Sequence, residues 1–104
     1  MHPQTATSPV TVRAEFDRAI RLERAAFAAK VRVARAVLAM SQDEFARHTG
    51  LTQKSVHRIE QGAVEPKLRT VYAIERFWAS HGISFEEARD GGFSLNVEPQ
   101  ALRD

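Results

Sequence analysis

Two short helix signals, separated by three residues, constrain this fold more than any other feature of the sequence. Ser41 is followed three positions later by Glu44. This spacing is the capping box, in which each side chain hydrogen-bonds the backbone amide of the other residue. It predicts a helix over Gln42–Thr49, which Gly50 ends because glycine adopts the left-handed conformation at little cost.

A second helix is predicted directly after the first. Thr52 is a favoured N-cap residue, and the helix that it opens runs over residues 53–61 before Gly62. Val56 and Ile59 are the inward positions, so the polar side chains lie on the outward face. The connection Gly-Leu-Thr is so short that the two helices must cross at a large angle. The second helix therefore presents its polar face to a partner.

Helical periodicity also covers the segments on both sides of this pair. Residues 12–40 contain neither glycine nor proline. Their apolar side chains recur at helical spacing, at Phe16, Ile20, Phe27, Val31, Ala34 and Leu38. This pattern fits one long helix or two helices that meet near residues 28–30. A further helix is predicted over Leu68–Ser80, with inward side chains at Leu68, Val71, Ile74, Phe77 and Trp78.

The two ends of the chain carry weaker signals. Residues 1–9 have no periodic apolar pattern and are predicted to be disordered. Ser84 and Glu87 repeat the capping-box spacing and favour a short helix, with a strand at residues 83–85 as the alternative. A strand is predicted at residues 93–97, where apolar and polar side chains alternate.

Charge is distributed unevenly along the chain, although the net charge is only +2. Residues 30–69 carry eight basic and four acidic side chains, whereas residues 83–104 carry two basic and five acidic ones. A basic middle segment favours a polyanionic partner such as a nucleic acid.

Several classes of function lack their characteristic residues. The absence of cysteine excludes disulfides and thiolate metal sites, and the four histidines are scattered, so no metal and no cofactor are expected. No nucleophile elbow or glycine-rich phosphate loop is present, and we expect no enzyme activity. The chain has neither a signal-peptide pattern nor a long apolar run, which predicts a cytoplasmic protein.

The outward face of the second helix carries side chains that suit the edges of DNA bases. Gln53 can form two hydrogen bonds with adenine, and Arg58 can bond O6 and N7 of guanine. Lys54 and Ser55 suit either bases or phosphates, and the free amides at the start of the helix suit a phosphate. These features predict a helix that lies in the major groove of duplex DNA.

Residues 41–62, SQDEFARHTGLTQKSVHRIEQG, resemble the helix-turn-helix of the XRE family, the phage repressor and Cro type. The likeness extends over about residues 31–83. It implies an all-α, lambda-repressor-like helix-turn-helix bundle of four to five helices, with an additional N-terminal helix and, as an option, a short C-terminal strand. Residues 1–29 would then form an extension, residues 30–82 the DNA-binding domain, and residues 83–104 a tail for dimer or partner contacts.

The resemblance also implies roles for individual residues. Gln42 would contact a phosphate, and Gln53 and Lys54 would contact bases. Arg35 and Glu60 would form a structural ion pair between the first helix and the end of the third. The complete set of expected DNA-binding residues is Gln42, Thr52, Gln53, Lys54, Ser55, His57 and Arg58.

These features predict a homodimer that binds a palindromic operator in double-stranded DNA and regulates transcription, as a repressor that occupies the promoter. The dimer contact would use either the stripe Phe16, Ile20 and Phe27 or the strand at residues 93–97. The alternative is an antitoxin, in which an added terminal segment binds a toxin protein while the helix-turn-helix binds the antitoxin's own operator.

Overall fold

Four helices and a two-stranded hairpin make up residues 8–102, the part of the chain that the computed structural model describes. The helices are α1 Pro9–Val37, α2 Gln42–Thr49, α3 Gln53–Glu60 and α4 Leu68–Ser80. They are followed by the strands β1 Ile83–Glu87 and β2 Phe93–Val97 and by a 3-10 helix over Pro99–Leu102. The mostly helical fold expected from the sequence is confirmed.

The first helix, α1, is one continuous helix of 29 residues, so the alternative of two helices is wrong. Ser8 caps it by accepting a hydrogen bond from the Thr11 amide at 3.1 Å. Pro9 takes the first helical position, where a backbone amide is not needed. The helix thus begins inside the segment predicted to be disordered, of which residues 1–7 lie outside the described residues.

No helix within residues 8–102 is long and apolar enough to cross a membrane.

The two short helices begin where their sequence signals predict, and α2 also ends there. Both hydrogen bonds of the capping box form, the Glu44 amide to Ser41 Oγ at 3.0 Å and the Ser41 amide to Glu44 Oε1 at 2.9 Å. Gly50 ends α2 in the left-handed conformation, with φ of 74°. Thr52 caps α3, which ends at Glu60, one residue earlier than expected.

The core lies where α2, α3 and α4 meet the second half of α1. Its most deeply buried large side chains come from all four helices and β1: Val31, Phe45, Val56, Ile74 and Ile83. Phe77 of α4 packs edge-on against Phe45 of α2, with ring centroids 5.4 Å apart. The expected inward position of Leu68 is wrong, because this first residue of α4 precedes the core contact and is 84% exposed.

A β-hairpin replaces the short helix predicted from Ser84 and Glu87. The strands pair antiparallel, with Ile83 opposite Val97 and Glu87 opposite Phe93. Ile83 is buried, and the ring centroids of Phe85 and of Trp78 in α4 lie 5.0 Å apart. The helix prediction is wrong because pairing with β2 satisfies the backbone hydrogen bonds of β1, and the alternation of the strand packs Ile83 and Phe85 against the protein. The strand expected at residues 93–97 is present.

Candidate nucleic-acid interface

The third helix, α3, separates its side chains into a buried side and an exposed side. Val56, Ile59 and Glu60 are buried against the other helices. Gln53, Lys54, His57 and Arg58 are exposed, and Ser55 is half-buried. The helix is about 12 Å long, a length that suits a helix lying across a groove.

The start of α3 combines a side-chain cap with free backbone amides. Thr52 Oγ1 accepts from the Ser55 amide at 3.1 Å and lies 2.9 Å from Ser55 Oγ. Both hydroxyls are therefore engaged with each other at the cap. The amides of Gln53 and Lys54 precede the first intrahelical bonds and point out of the helix, towards the place where an anion would lie.

A chain of hydrogen bonds runs from the buried end of α3 to its exposed beginning. Arg35 donates to both carboxylate oxygens of Glu60, from Nε at 2.7 Å and from Nη2 at 3.0 Å. Gln42 Nε2 donates to Glu60 Oε1 at 3.0 Å, and Gln53 Nε2 donates to Gln42 Oε1 at 2.7 Å. The chain links α1, α2 and α3, so the exposed amide of Gln53 is oriented by a buried carboxylate.

The electrostatics of this chain keep Glu60 ionised. Burial raises the pKa of Glu60, but hydrogen bonds from Arg35 and Gln42 and the charges of Arg35 and Arg32 together hold it below its ordinary value. The hydrogen bond to Glu60 raises the pKa of Arg35 in turn. The structure thus places Arg35 and Glu60 in the ion pair that the resemblance implied.

Arg32 is a contributor that the sequence interpretation missed. Its Nη1 donates to the backbone carbonyl of Glu60, at the C-terminal end of α3 where carbonyls lack helical partners. Arg32 lies three residues before Arg35, hence on a neighbouring position of the same helix face. That spacing was the available signal. The contact fixes the end of α3 from the same helix that holds Glu60.

The exposed basic side chains of the motif fall into two groups. Arg47 of α2 forms an ion pair with Asp43, in which both side chains are about two-thirds exposed. Within residues 8–102, no hydrogen bond or ion pair engages the side chains of Lys54, His57 or Arg58. Those three are therefore free to meet a ligand, and no cluster of three metal-ligating side chains lies in the described part of the chain.

Comparison with protein families places this arrangement in a known context. Residues 26–88 match the model of a family described as a helix-turn-helix domain. The match covers 63 of the 104 residues and contains α2, α3, α4 and every candidate contact residue. Residues 9–25, the first part of α1, lie outside it. A comparison with curated proteins gives no significant match.

Proposed function

The chain belongs to the helix-turn-helix domain family and is a DNA-binding protein, and from this premise we propose that α3 recognises a specific duplex sequence in the major groove. The observation that carries the proposal is the chain Arg35, Glu60, Gln42 and Gln53. It fixes the Gln53 amide before DNA binds, while the neighbouring side chains of Lys54 and Arg58 have no hydrogen-bond or ion-pair partner among residues 8–102. Groups fixed before binding lose less conformational entropy when the complex forms.

The side chains of this face divide between bases and backbone. Gln53 keeps its Oε1 and its second Nε2 hydrogen for adenine, and Arg58 has the forked geometry that fits guanine. Lys54 and His57 lie beside them and contact bases or phosphates. Gln42 has one Nε2 hydrogen left after its bond to Glu60, which suits a phosphate oxygen.

A homodimer on a palindrome is the arrangement that this small contact surface favours. One helix of eight residues meets only a few base pairs. Two copies related by a two-fold axis would place their α3 helices about 34–36 Å apart, on the same side of the duplex, and bind two half-sites together. Occupation of a promoter by such a dimer represses transcription without any catalytic step.

We assign the chain to the XRE type of helix-turn-helix on the pattern of residues 41–62. The observed capping box at Ser41, the left-handed Gly50 and the pair of Arg35 with Glu60 support that assignment.

Selection of bound duplexes from a random pool, at two salt concentrations, tests the proposal. We expect a palindromic motif whose selectivity survives the higher salt, since base contacts release no counterions. Binding that yields no motif and disappears with salt would contradict it, because such binding rests on the phosphate backbone alone.

A further inference from the structure

The first half of α1 extends beyond the body of the protein. No side chain between Pro9 and Glu23 is buried, and Ala28 is the first buried residue of the helix. The protein measures 63 × 28 × 19 Å along its principal axes, and α1 alone is about 43 Å long. We call residues 9–23 the arm.

The arm carries an apolar stripe on the face that packs the core further along the helix. Val12, Phe16 and Ile20 follow one another at four-residue spacing, and the stripe continues through Phe27 to the buried Val31. Phe16 is 63% exposed and Val12 is 50% exposed. A helix without tertiary contacts is marginal in water, and its stability comes mainly from packing of its apolar face. A second surface that packs on the stripe would therefore stabilise the arm.

An apolar groove opens where the arm meets the body. It has a volume of about 580 Å³ and lies between α1 and the start of α4. Its apolar lining includes Ile20, Phe27, Leu68 and Val71. The outward position of Leu68, which the core does not explain, makes it part of the rim of this groove.

The charged side chain that lines the tip of the arm is opposite in sign to most of the charged side chains around the groove. Arg13 lies beside Val12 and Phe16 at the tip of the arm. The groove is bordered by four glutamates and two basic residues, namely Glu23, Glu65, Glu75, Glu87, Arg24 and Lys30. Arg24 pairs with Glu65 and Lys30 with Glu87, whereas no ion pair within residues 8–102 engages Glu23 or Glu75. An apolar tip lined by one arginine thus fits an apolar groove that Glu23 and Glu75 border.

We propose that the arm of a second copy fills this groove, so that two α1 helices pack antiparallel and each tip lies in the groove of the other copy. A two-fold axis near residues 19–20 would set Phe16 of one copy beside residues 23–24 of its partner, and Val12 beside residues 27–28. The contact is isologous, so each interaction occurs twice. The inference rests on the homodimer of the proposed function and names its surface.

The strand at residues 93–97 offers less to a second copy. Phe93 and Val97 are half-buried against their own chain, and Leu95 is 40% exposed, less than Phe16 or Leu68. The Phe93 ring already packs edge-on against Phe85, 5.4 Å away. The arm and groove together present more uncovered apolar side chain than β2 does.

Sedimentation equilibrium of the full chain without DNA tests the proposal. We compare the wild-type protein with Phe16→Ser and with the control Val10→Ser, since Val10 is 78% exposed on the same arm but does not line the tip surface. The wild-type protein should form a dimer. Phe16→Ser should weaken it by at least about tenfold, because the dimer buries two such side chains. Val10→Ser should change it by less than about twofold.

A charge exchange tests the same contact without removing an apolar side chain. Arg13→Glu should weaken the dimer, and the double variant with Glu75→Arg should restore it towards the wild-type constant. Thermal unfolding by circular dichroism shows whether each variant keeps its helices. Restoration by the second substitution cannot arise from a mere folding defect in the first.

Either of two results would overturn the proposal. The first is a wild-type protein that stays monomeric at about 100 µM, a concentration far above a micromolar dissociation constant. The second is a dimer that Phe16→Ser leaves unchanged. In the first case the arm is left for a different protein, as in the antitoxin alternative. The proposed function is measured separately, by the selection of a DNA motif. A monomer that still selects a motif would contradict the homodimer and its surface but leave sequence-specific DNA binding in place. A dimer without a motif would contradict only sequence-specific DNA binding.

Discussion

Two arginine–carboxylate pairs of the helix-turn-helix domain differ in their burial and in the helices that they join. Arg35 and Glu60 join α1 to α3, and the Glu60 side chain is only 5% exposed. Arg47 and Asp43 are one turn apart on α2, with side chains 66% and 63% exposed. The first pair fixes the end of α3 through a residue 25 positions earlier in the chain, whereas the second lies on the exposed surface of α2.

One side of α3 is held by the rest of the protein, and the other side is left for a ligand. The buried pair, with Arg32 and Gln42, engages the inner side and the C-terminal end of α3. The outer side of the same helix keeps Lys54 and Arg58 for a ligand. The outer side chains of α3 can remain without partners in the protein only if other contacts hold the helix in place. The four predictions that follow test this division between the inner and outer sides.

The largest effect is expected from Arg35→Met. It removes the ion pair and both hydrogen bonds that Arg35 donates to the buried Glu60 carboxylate. Breaking a buried pair in this way costs about 3–5 kcal/mol in the free energy of unfolding. Urea denaturation measures the change. The double variant Arg35→Met with Glu60→Leu should recover much of the loss, since it leaves no buried charge. A single variant within about 1 kcal/mol of the wild type, the range of exposed pairs, would show that the pair does not hold α3.

A smaller effect is expected from Arg58→Ala, and on a different quantity. DNA binding should weaken by about 1–3 kcal/mol and the preference at one base pair of each half-site should relax. Stability should not change, because Arg58 has no partner among the described residues. Fluorescence anisotropy with the selected duplex measures the first effect and urea denaturation the second. A folded variant that binds its site like the wild type would remove Arg58 from the interface.

Acidic pH should weaken the buried pair in part. The pKa of Glu60 is lower in the folded protein than its ordinary value near 4.3, so its contribution is complete above that pH and is lost as the pH falls through the folded pKa. The stability difference between the wild type and Glu60→Gln should therefore shrink below about pH 4.3. The change should be smaller than that of Arg35→Met, because a protonated carboxyl still forms hydrogen bonds. A difference that stays constant down to pH 3 would show that Glu60 does not gain from its ionised state.

The smallest effect is expected from Arg47→Met, the counterpart of Arg35→Met in the exposed pair. An exposed pair one turn apart contributes about 0–1 kcal/mol, because water screens its charges. Urea denaturation of both variants under identical conditions gives the comparison directly. Equal losses in the two variants would mean that burial does not distinguish the pairs.

Local signals predicted the two short helices because the residues that give each signal also form the contacts that begin or end the helix. Ser41 and Glu44 bond each other's amides, and Gly50 supplies the left-handed residue, all within one turn of the boundary that they set. The fold of residues 41–62 could therefore be derived from the sequence.

The same capping-box spacing failed at Ser84 and Glu87 because distant residues decide that segment. Phe85 packs on Trp78, and the residues of β1 pair with residues six to fourteen positions later in β2. The spacing contains no information on either contact. Tertiary context overrides a local preference of this size.

The candidate site shows the same limit. The sequence predicts which residues of α3 point outward, because the helical period decides this. It does not predict that Gln42 joins Glu60 to Gln53, because that link needs α2 and α3 in their final positions. The exposure of Leu68 likewise depends on where α4 first touches the core.

Base preference at Gln53 shows whether α3, held by buried contacts, recognises bases with its outer face. The measurement is the dissociation constant of the wild type and of Gln53→Ala on every single-base-pair variant of the selected half-site, at one salt concentration. We expect Gln53→Ala to lose its base preference at one position of the half-site and to keep the preferences at all other positions. A uniform weakening on every duplex, with all preferences intact, would contradict it.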